Sequence, residues 1–455
     1  MITLKPSKWL AALLLGLAGS AQAQSPSAFE EQAYSRAAKV EAKLIEWRRD
    51  IHQHPELGSQ ETRTAKLVAD HLRKLGLEVH TGIAHTGVVG ILTGGKSGPV
   101  VALRADMDAL PVKEPEGLPF ASRARGNYQG KEVDVMHACG HDAHTAMLMA
   151  TAEVLAGMRY TLPGKVMFIF QPAEEGSSLP SSGPNELWGA QRMLQEGLFD
   201  TLKPDAIFAV HVMPGRSGEL SWRTGATTAS SDDLKITVTG KQGHGGMPWN
   251  TVDPIVTAAQ VITGLQTVVS RRTNLTQSPA VVTVGTIQGG SAANIIPEKV
   301  QMTGTIRTYD EKVRAQIGRD VKLTTEKIAE SADAKAEVSV IAGYGTTVND
   351  EKLAAQMAPV LARAASGKVA TSPLVGAAED FSFFAREAPG LFIFLGVTPE
   401  GHDPATAAPN HNPNFFVDEK ALVVGARALS GLTVEFLQTS AAEPGAGVIS
   451  QTGQP

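Results

Sequence analysis

A single cysteine among 455 residues excludes any disulfide within the chain. Aromatic residues are sparse at 5%, and no Lys/Arg run is interleaved with them. With a net charge of only -5, this speaks against nucleic acid as a partner. No internal repeat is visible. No apolar run is long enough to span a bilayer comfortably. The nearest, Trp9–Ala18, follows Lys5 and Lys8 and precedes Ala21-Gln22-Ala23. That order is the pattern of a secretory signal over 1–23, so the chain is expected to be exported, periplasmic or secreted, with no membrane attachment once the signal is removed. An exported chain that keeps one unpaired thiol needs a reason for it, and metal ligation is such a reason. Residues 439–455 are rich in Ala, Gly, Pro and Ser and read as a disordered tail.

What is present is a globular pattern. Hydrophobic residues make up 42%, and the length exceeds one ordinary core, so two domains are expected. Helical periodicity over 29–52 and 62–75 is followed by nearly all-apolar strands at 88–93, 100–104, 166–170 and 206–210, with helices at 142–156 and 187–196. Strands buried on both faces and alternating with helices predict an α/β domain with a mainly parallel sheet covered by helices. His52 and His54 read as the end of the first helix, before Pro55. After about 225 the pattern changes. Strand 233–239, helix 254–270, strands 280–287 and 299–309, helix 310–331 and strand 336–341 form a β-α-β-β-α-β unit, the ferredoxin-like order. It reads as a domain inserted at 226–341, and the first domain, 24–225, resumes over 342–438. That second half holds a helix at 350–365, a buried strand at 391–396, a Pro/Asn-rich loop at 402–416 and a last helix at 419–437.

The cysteine lies in Met136–His144, which reads MHACGHDAH. Thiolate and imidazole so close together are soft and borderline metal ligands, and Gly140 lets the backbone fold near an ion. In open α/β sheets ligands sit outside the carboxyl ends of the strands. Asp106 and Asp108 follow the strand at 100–104, Glu174 and Glu175 the strand at 166–170, and His211 the strand at 206–210. His411 falls in the loop after the strand at 391–396, and Cys139 and His141 precede a helix. All are thereby expected on one rim. Cys139, His141, Glu175, His211 and His411 exceed what a closed structural zinc site needs; with neighbouring carboxylates they fit a centre of two divalent ions, the thiolate bridging them. The donor set suits zinc or manganese, with cobalt and nickel also allowed. Glu174, adjacent but not needed as a ligand, suits a general base beside a metal-activated water. Asp106 is expected to orient a ligand histidine. Plainer readings exist for each: a solvated Glu pair, a satisfied histidine at a strand end, a surface histidine in a polar loop, an Asp capping a turn.

The stretches LRADMDALP at 103–111, MHACGHDAHTAM at 136–147, FQPAEEG at 170–176, GHGGMP at 243–248, NIIP at 294–297, GTIRT at 304–308, GAAEDFSFF at 376–384 and NHNP at 410–413 together resemble one family. It is the metallopeptidase and amidohydrolase family of aminoacylase, hippurate hydrolase, the glutamate-releasing carboxypeptidases and the plant auxin-conjugate hydrolases, in its Cys-Gly-His branch. The resemblance implies the five metal ligands and the base named above, and that the inserted domain is a lid and a dimerisation surface. It implies that His244, from this lid or that of a second copy, stabilises the oxyanion, and that Asn294 and Arg307 hold the substrate carboxylate or oxyanion. The expected reaction is hydrolysis of the amide bond of an N-acyl or N-aryl-acyl amino acid. Alternatives are a dipeptidase or carboxypeptidase on the same site and, in a different class, a periplasmic solute-binding protein. Two departures stand out. Arg104 occupies a position where many relatives carry a metal-binding histidine. Residues 177–187 form a longer link than usual beside the proposed base, which bears on substrate choice.

Overall fold

The computed structural model describes residues 25–442, apart from 182, 184 and 185. The signal expected over 1–23 and most of the expected tail, 443–455, lie outside the described residues. Residues 439–442 correct the tail's proposed start, because they complete the helix Leu422–Ala442, whose apolar face packs into the main core through Leu437.

The continuous apolar runs become the middle of an eight-stranded sheet. Its spatial order is Glu78–Ile83, Gly87–Thr93, Pro163–Gln171, Lys96–Asp106, Ala206–Arg216, Gly390–Thr398, Leu220–Trp222 and Val369–Thr371. From Pro163–Gln171 to Gly390–Thr398 neighbouring strands are parallel. The strands outside Pro163–Gln171 run antiparallel. Period-two alternation sends Phe168, Phe170 and Phe208 into one core and Met167, Ile169, Ile207 and Phe392 into another, which is why these strands carry no polar face. Helices Ala28–Gln53, His141–Ala156, Glu351–Ala364 and Leu422–Ala442 cover the first side; Gly189–Gln195 and Phe381–Glu387 cover the second. Each large apolar side chain removed from water here contributes about 1.5–3 kcal/mol.

The first helix shows how sequence leads to site. Ser27 and Glu30 form a reciprocal capping box at its start. Ala33, Ala37, Val40, Leu44 and Ile51 then fall on one buried stripe. The same stripe carries Arg48 and His52, whose Nε and Nδ1 lie 2.8 and 2.9 Å from Asp142 Oδ2. His52 Nε2 reaches Glu114 Oε1 at 3.0 Å. His52 is therefore more than the helix end read from the sequence: burial opposes its charge, but Asp142 and Glu114 raise its pKa. The ion pairs lock the residue that follows His141.

The inserted unit has its own antiparallel four-stranded sheet, in the order Ala280–Gly289, Lys299–Thr308, Asp232–Thr239, Lys335–Ala342. Helices Pro254–Thr267 and Glu311–Ser331, capped by Asp253 and Asp310, bury Val261, Leu265, Ile317 and Val321 against it. This is the β-α-β-β-α-β order expected. The chain crosses between the two sheets on a short antiparallel pair, Gly225–Thr228 with Thr347–Asn349.

Candidate metal centre

The expected donors meet at the carboxyl rim of the large sheet. Cys139 and His141 flank Gly140, the N-cap of helix His141–Ala156. Gly140 has φ +93°, and a Cβ there would lie 2.3 Å from Val212 Cγ2, so only glycine lets the thiol and imidazole close on the strand Ala206–Arg216. His211 lies within that strand, which extends to Arg216, rather than just beyond its end. The loop carrying His411 is fastened to the cysteine loop. His411 N–H donates to the Ala138 carbonyl at 2.8 Å, and Asn410 Nδ2 donates to the carbonyls of Cys139 and Val212 at 2.9 and 3.0 Å.

The donor atoms of Cys139, His141 and His211 lie within 4.8 Å of one another, and so do those of Cys139, Glu175 and His411 and those of His141, Glu174 and Glu175. Cys139 Sγ is 3.5 Å from His211 Nε2, and His411 Nε2 is 2.7 Å from Glu175 Oε1. The His211 tautomer fits metal ligation. His211 Nδ1 donates to the Val212 carbonyl at 2.8 Å, and burial with two neighbouring histidines holds its pKa well below the usual value, leaving Nε2 an open lone pair. His141 Nδ1 donates to the Asp108 carbonyl at 2.8 Å, and among the described residues its buried Nε2 finds no hydrogen-bond partner. An orphaned imidazole nitrogen facing a thiol and carboxylates is what divalent cations require. Burial pushes the Cys139 thiol up, so an ion must displace its proton. His411 is pushed up to about 10 by its hydrogen bonds to Cys139 and Glu175, so it too must lose a proton to ligate.

His144 is not an open donor. Its Nδ1 donates to Asp106 Oδ1 at 2.6 Å and its Nε2 accepts from Val212 N–H at 2.8 Å. The orienting part expected of Asp106 falls instead to Asp108, because Asp106 is taken up by His144 and by Arg104 at 2.7 Å and stands 3.7 Å from His141 Nε2. Asp108 Oδ1 is 3.1 Å from His141 Nδ1, and its Oδ2 accepts from Glu175 N–H at 2.9 Å. One carboxylate thus aims two donors. Asp108→Ala is expected to weaken metal affinity about 10- to 100-fold with the fold retained, measured by metal titration against wild type.

Glu174 is buried, and among the described residues it forms no salt bridge. Burial first, then the carboxylates of Glu379, Glu175 and Asp380, raise its pKa well above the usual range. Arg104 explains why these acids tolerate one another. It is 2% exposed and pairs with Asp106, Glu379 and Asp380 at 2.7, 2.8 and 2.9 Å. Its Nε also donates to Gln171 Oε1 at 2.8 Å. Glu379 and Asp380 were not singled out in the sequence, although both lie in the GAAEDFSFF stretch. A cavity of about 120 Å³ opens here, lined by polar Glu174, Glu379 and His411 and by apolar Met213, Phe392 and Phe394.

His244, Asn294 and Arg307 do not join this group. His244 lies in a two-residue strand, Gly243–His244, paired with Ile295–Ile296, and Gly245 N–H donates to the Asn294 carbonyl at 2.8 Å. His244 and Asn294 are therefore neighbours and both exposed, whereas Arg307 sits on strand Lys299–Thr308. Among the described residues lining the cavity none of the three appears.

A parallel sheet whose rim gathers thiol, imidazole and carboxylate donors around a buried carboxylate defines a metal-dependent hydrolase. Residues 102–435 match the peptidase family M20/M25/M40, and the chain belongs to that family. Over 401 residues it is 39% identical to thermostable carboxypeptidase 1 of Saccharolobus solfataricus, covering 88% of this chain and 96% of that one. It is 36% identical to the N-acetyl-L-cysteine deacetylase of Bacillus subtilis, with 87% and 88% covered. An IAA-amino acid hydrolase of Arabidopsis thaliana is 35% identical, with 90% and 89% covered. Among solved structures, a dinuclear metal-binding peptidase of the family from Bacillus subtilis superposes with a TM-score of 0.72 at 32% identity, over 88% of this chain and 99% of that one. The chain is accordingly an amidohydrolase or peptidase that cleaves amide bonds with the help of divalent metal, rather than a solute-binding protein.

Proposed function

We propose that the chain hydrolyses the amide bond of N-acyl amino acids, releasing a carboxylic acid and a free amino acid. The observation that carries this reading is the position of Glu174: a buried carboxylate, without a salt bridge among the described residues, beside the donor cluster and lining a cavity that Met213, Phe392 and Phe394 also line. Met213, Phe392 and Phe394 would receive the acyl group, with Glu174 in the same cavity to act at its carbonyl. Relatives whose names describe deacetylation of N-acetyl-L-cysteine and hydrolysis of IAA-amino acids point the same way.

Cys139, His141, Glu175, His211 and His411 would hold two divalent ions, zinc or manganese. Such ions supply Lewis acidity and positive charge, which favours the ionised form of the carboxylate next to them. Glu174 takes the proton of the attacking water and hands it to the leaving nitrogen. Asp108 keeps His141 and Glu175 aimed. His244 donates to the oxyanion, and Asn294 and Arg307 receive the substrate carboxylate. Since His244 and Asn294 are exposed, the lid of a second copy is the source we favour. The half-exposed apolar side chains of Met247, Ile255 and Ile295 and the more exposed Trp249 around them suit a homodimer face. Export of the chain, from the segment 1–23, belongs to the same reading.

The carboxypeptidase relatives at 39% identity favour a second reading, cleavage of short peptides at the same site. A panel of hippurate, N-acetyl amino acids and dipeptides, assayed for free amino acid with and without chelator, separates the two. Turnover of the acyl amino acids should exceed that of dipeptides, vanish with chelator and return with zinc or manganese. Turnover indifferent to complete demetallation would end both readings.

A further inference from the structure

The turn that carries Glu174 is held from every side. Ala173 has φ +52°, a left-handed conformation that a Cβ disfavours, so the turn will not keep this shape unaided. Three contacts hold it. Ala173 N–H donates to Glu61 Oε1 at 2.8 Å, and Glu175 N–H donates to Asp108 Oδ2 at 2.9 Å. The third comes from outside the large sheet: the Tyr344 hydroxyl donates to the carbonyl of Glu174. Tyr344 stands between strand Lys335–Ala342 of the inserted unit and Thr347–Asn349 of the crossing pair. Its own carbonyl accepts from Ser231 N–H at 2.9 Å, on the other crossing strand's approach. The same hydroxyl accepts from Trp188 Nε1–H at 2.9 Å, so its donor and acceptor capacities are both used and its rotation is fixed. Trp188 directly follows the long link 177–187, and the edge of the Phe383 ring, 6.1 Å away at 85°, holds the Tyr344 ring from another side.

We propose that Tyr344 is a positioning residue for Glu174, through which the seating of the inserted unit and the placement of the long link set the aim of the base. A lid that shifts drags the 343–346 segment, and that segment ends on the peptide of the base. This rests on Glu174 acting as the base, but the geometric part does not. Phenylalanine at 344 keeps the ring and deletes only the hydroxyl.

Tyr344→Phe should lower kcat on an N-acyl amino acid about tenfold, the size of one hydrogen bond lost at a positioned group, while KM stays within about twofold. Metal content and thermal midpoint should match wild type, and amide exchange over 173–176 should quicken. Trp188→Phe, which spares the hydroxyl but frees its rotation, should lie between the two, and it decides the matter if Tyr344→Phe does not fold. Unchanged exchange over 173–176 overturns the proposal, as does a kcat within about twofold of wild type, or a fall in kcat matched by equal loss of metal. Should wild type itself turn over no acyl amino acid, the functional reading fails, and exchange alone still decides whether Tyr344 pins this turn.

Discussion

Glu174→Gln is expected to lower turnover about 10²- to 10⁴-fold, the range general acid–base catalysis supplies, while the bound metal is unchanged. Glutamine is isosteric, and the donor groups that include Cys139 do not need residue 174, so elemental analysis should find wild-type metal content. What the variant loses is the only step the side chain performs, proton transfer from water to the leaving nitrogen. Because burial and the carboxylates of Glu379, Glu175 and Asp380 already hold residue 174 toward its neutral form, the neutral glutamine adds no burden to the fold, and the variant should fold at least as well as wild type. A variant that turns over normally would sink the assignment of the base; one that is inactive because it has lost its metal would move Glu174 into the ligand set.

The second large effect is on stability. Arg104→Leu leaves Asp106, Glu379 and Asp380 buried without their shared cation, and breaking a buried pair in this way costs about 3–5 kcal/mol. The sign of its pH dependence follows from the three carboxyls. Burial opposes the charge of Asp106, but Arg104, His141 and His144 outweigh it and hold its pKa well below the usual range. Such a group adds stability above its unfolded pKa and loses it on acidification, and the variant forfeits that gain. Burial raises Glu379 and pushes Asp380 up to about 8 even with Arg104 present. Groups raised in this way cost stability at high pH and are relieved as pH falls through the folded value. The raised pair makes the deficit of Arg104→Leu grow as pH rises from about 4 through about 8, whereas the Asp106 contribution is lost only below the ordinary carboxylate range; urea midpoints from about pH 4 to 9 read the first effect. A deficit that does not vary with pH would show that the guanidinium acts by packing alone.

The centre was legible because its donors obey a positional rule. Cys139, His141, Glu175 and His411 each follow a buried strand or precede a helix of the same sheet, and His211 ends the apolar run of its strand, so order along the chain predicts their rim. Asp108 and Asp106 lie two residues apart and look alike in sequence; which of them reaches His141 depends on how the chain turns after Lys96–Asp106, and no pattern encodes that. Glu379 and Asp380 come from a helix start more than 200 residues beyond Gln171, which shares their network. His52 looked terminal because Pro55 ends the helix, and its burial comes from partners at 114 and 142. The missed strands are those with little pattern to show: Leu220–Trp222 and Val369–Thr371 have three residues each, and Glu78–Ile83 is an edge strand exposed along most of its length. The four-stranded insert was legible because its outer face is wet and its strands alternate.

The donors differ in their access to water. Cys139 and His141 are buried, Glu175 and His211 partly so, and the His411 side chain is 54% exposed. Cation exchange with the medium would therefore pass by that imidazole, and the residence time of the ion would be governed by how long the Asn410 clasp keeps the 402–416 loop shut. Loosening that clasp would release the His411 donor while leaving Cys139 and His141 in place, and turn a tightly kept cofactor into a freely traded one.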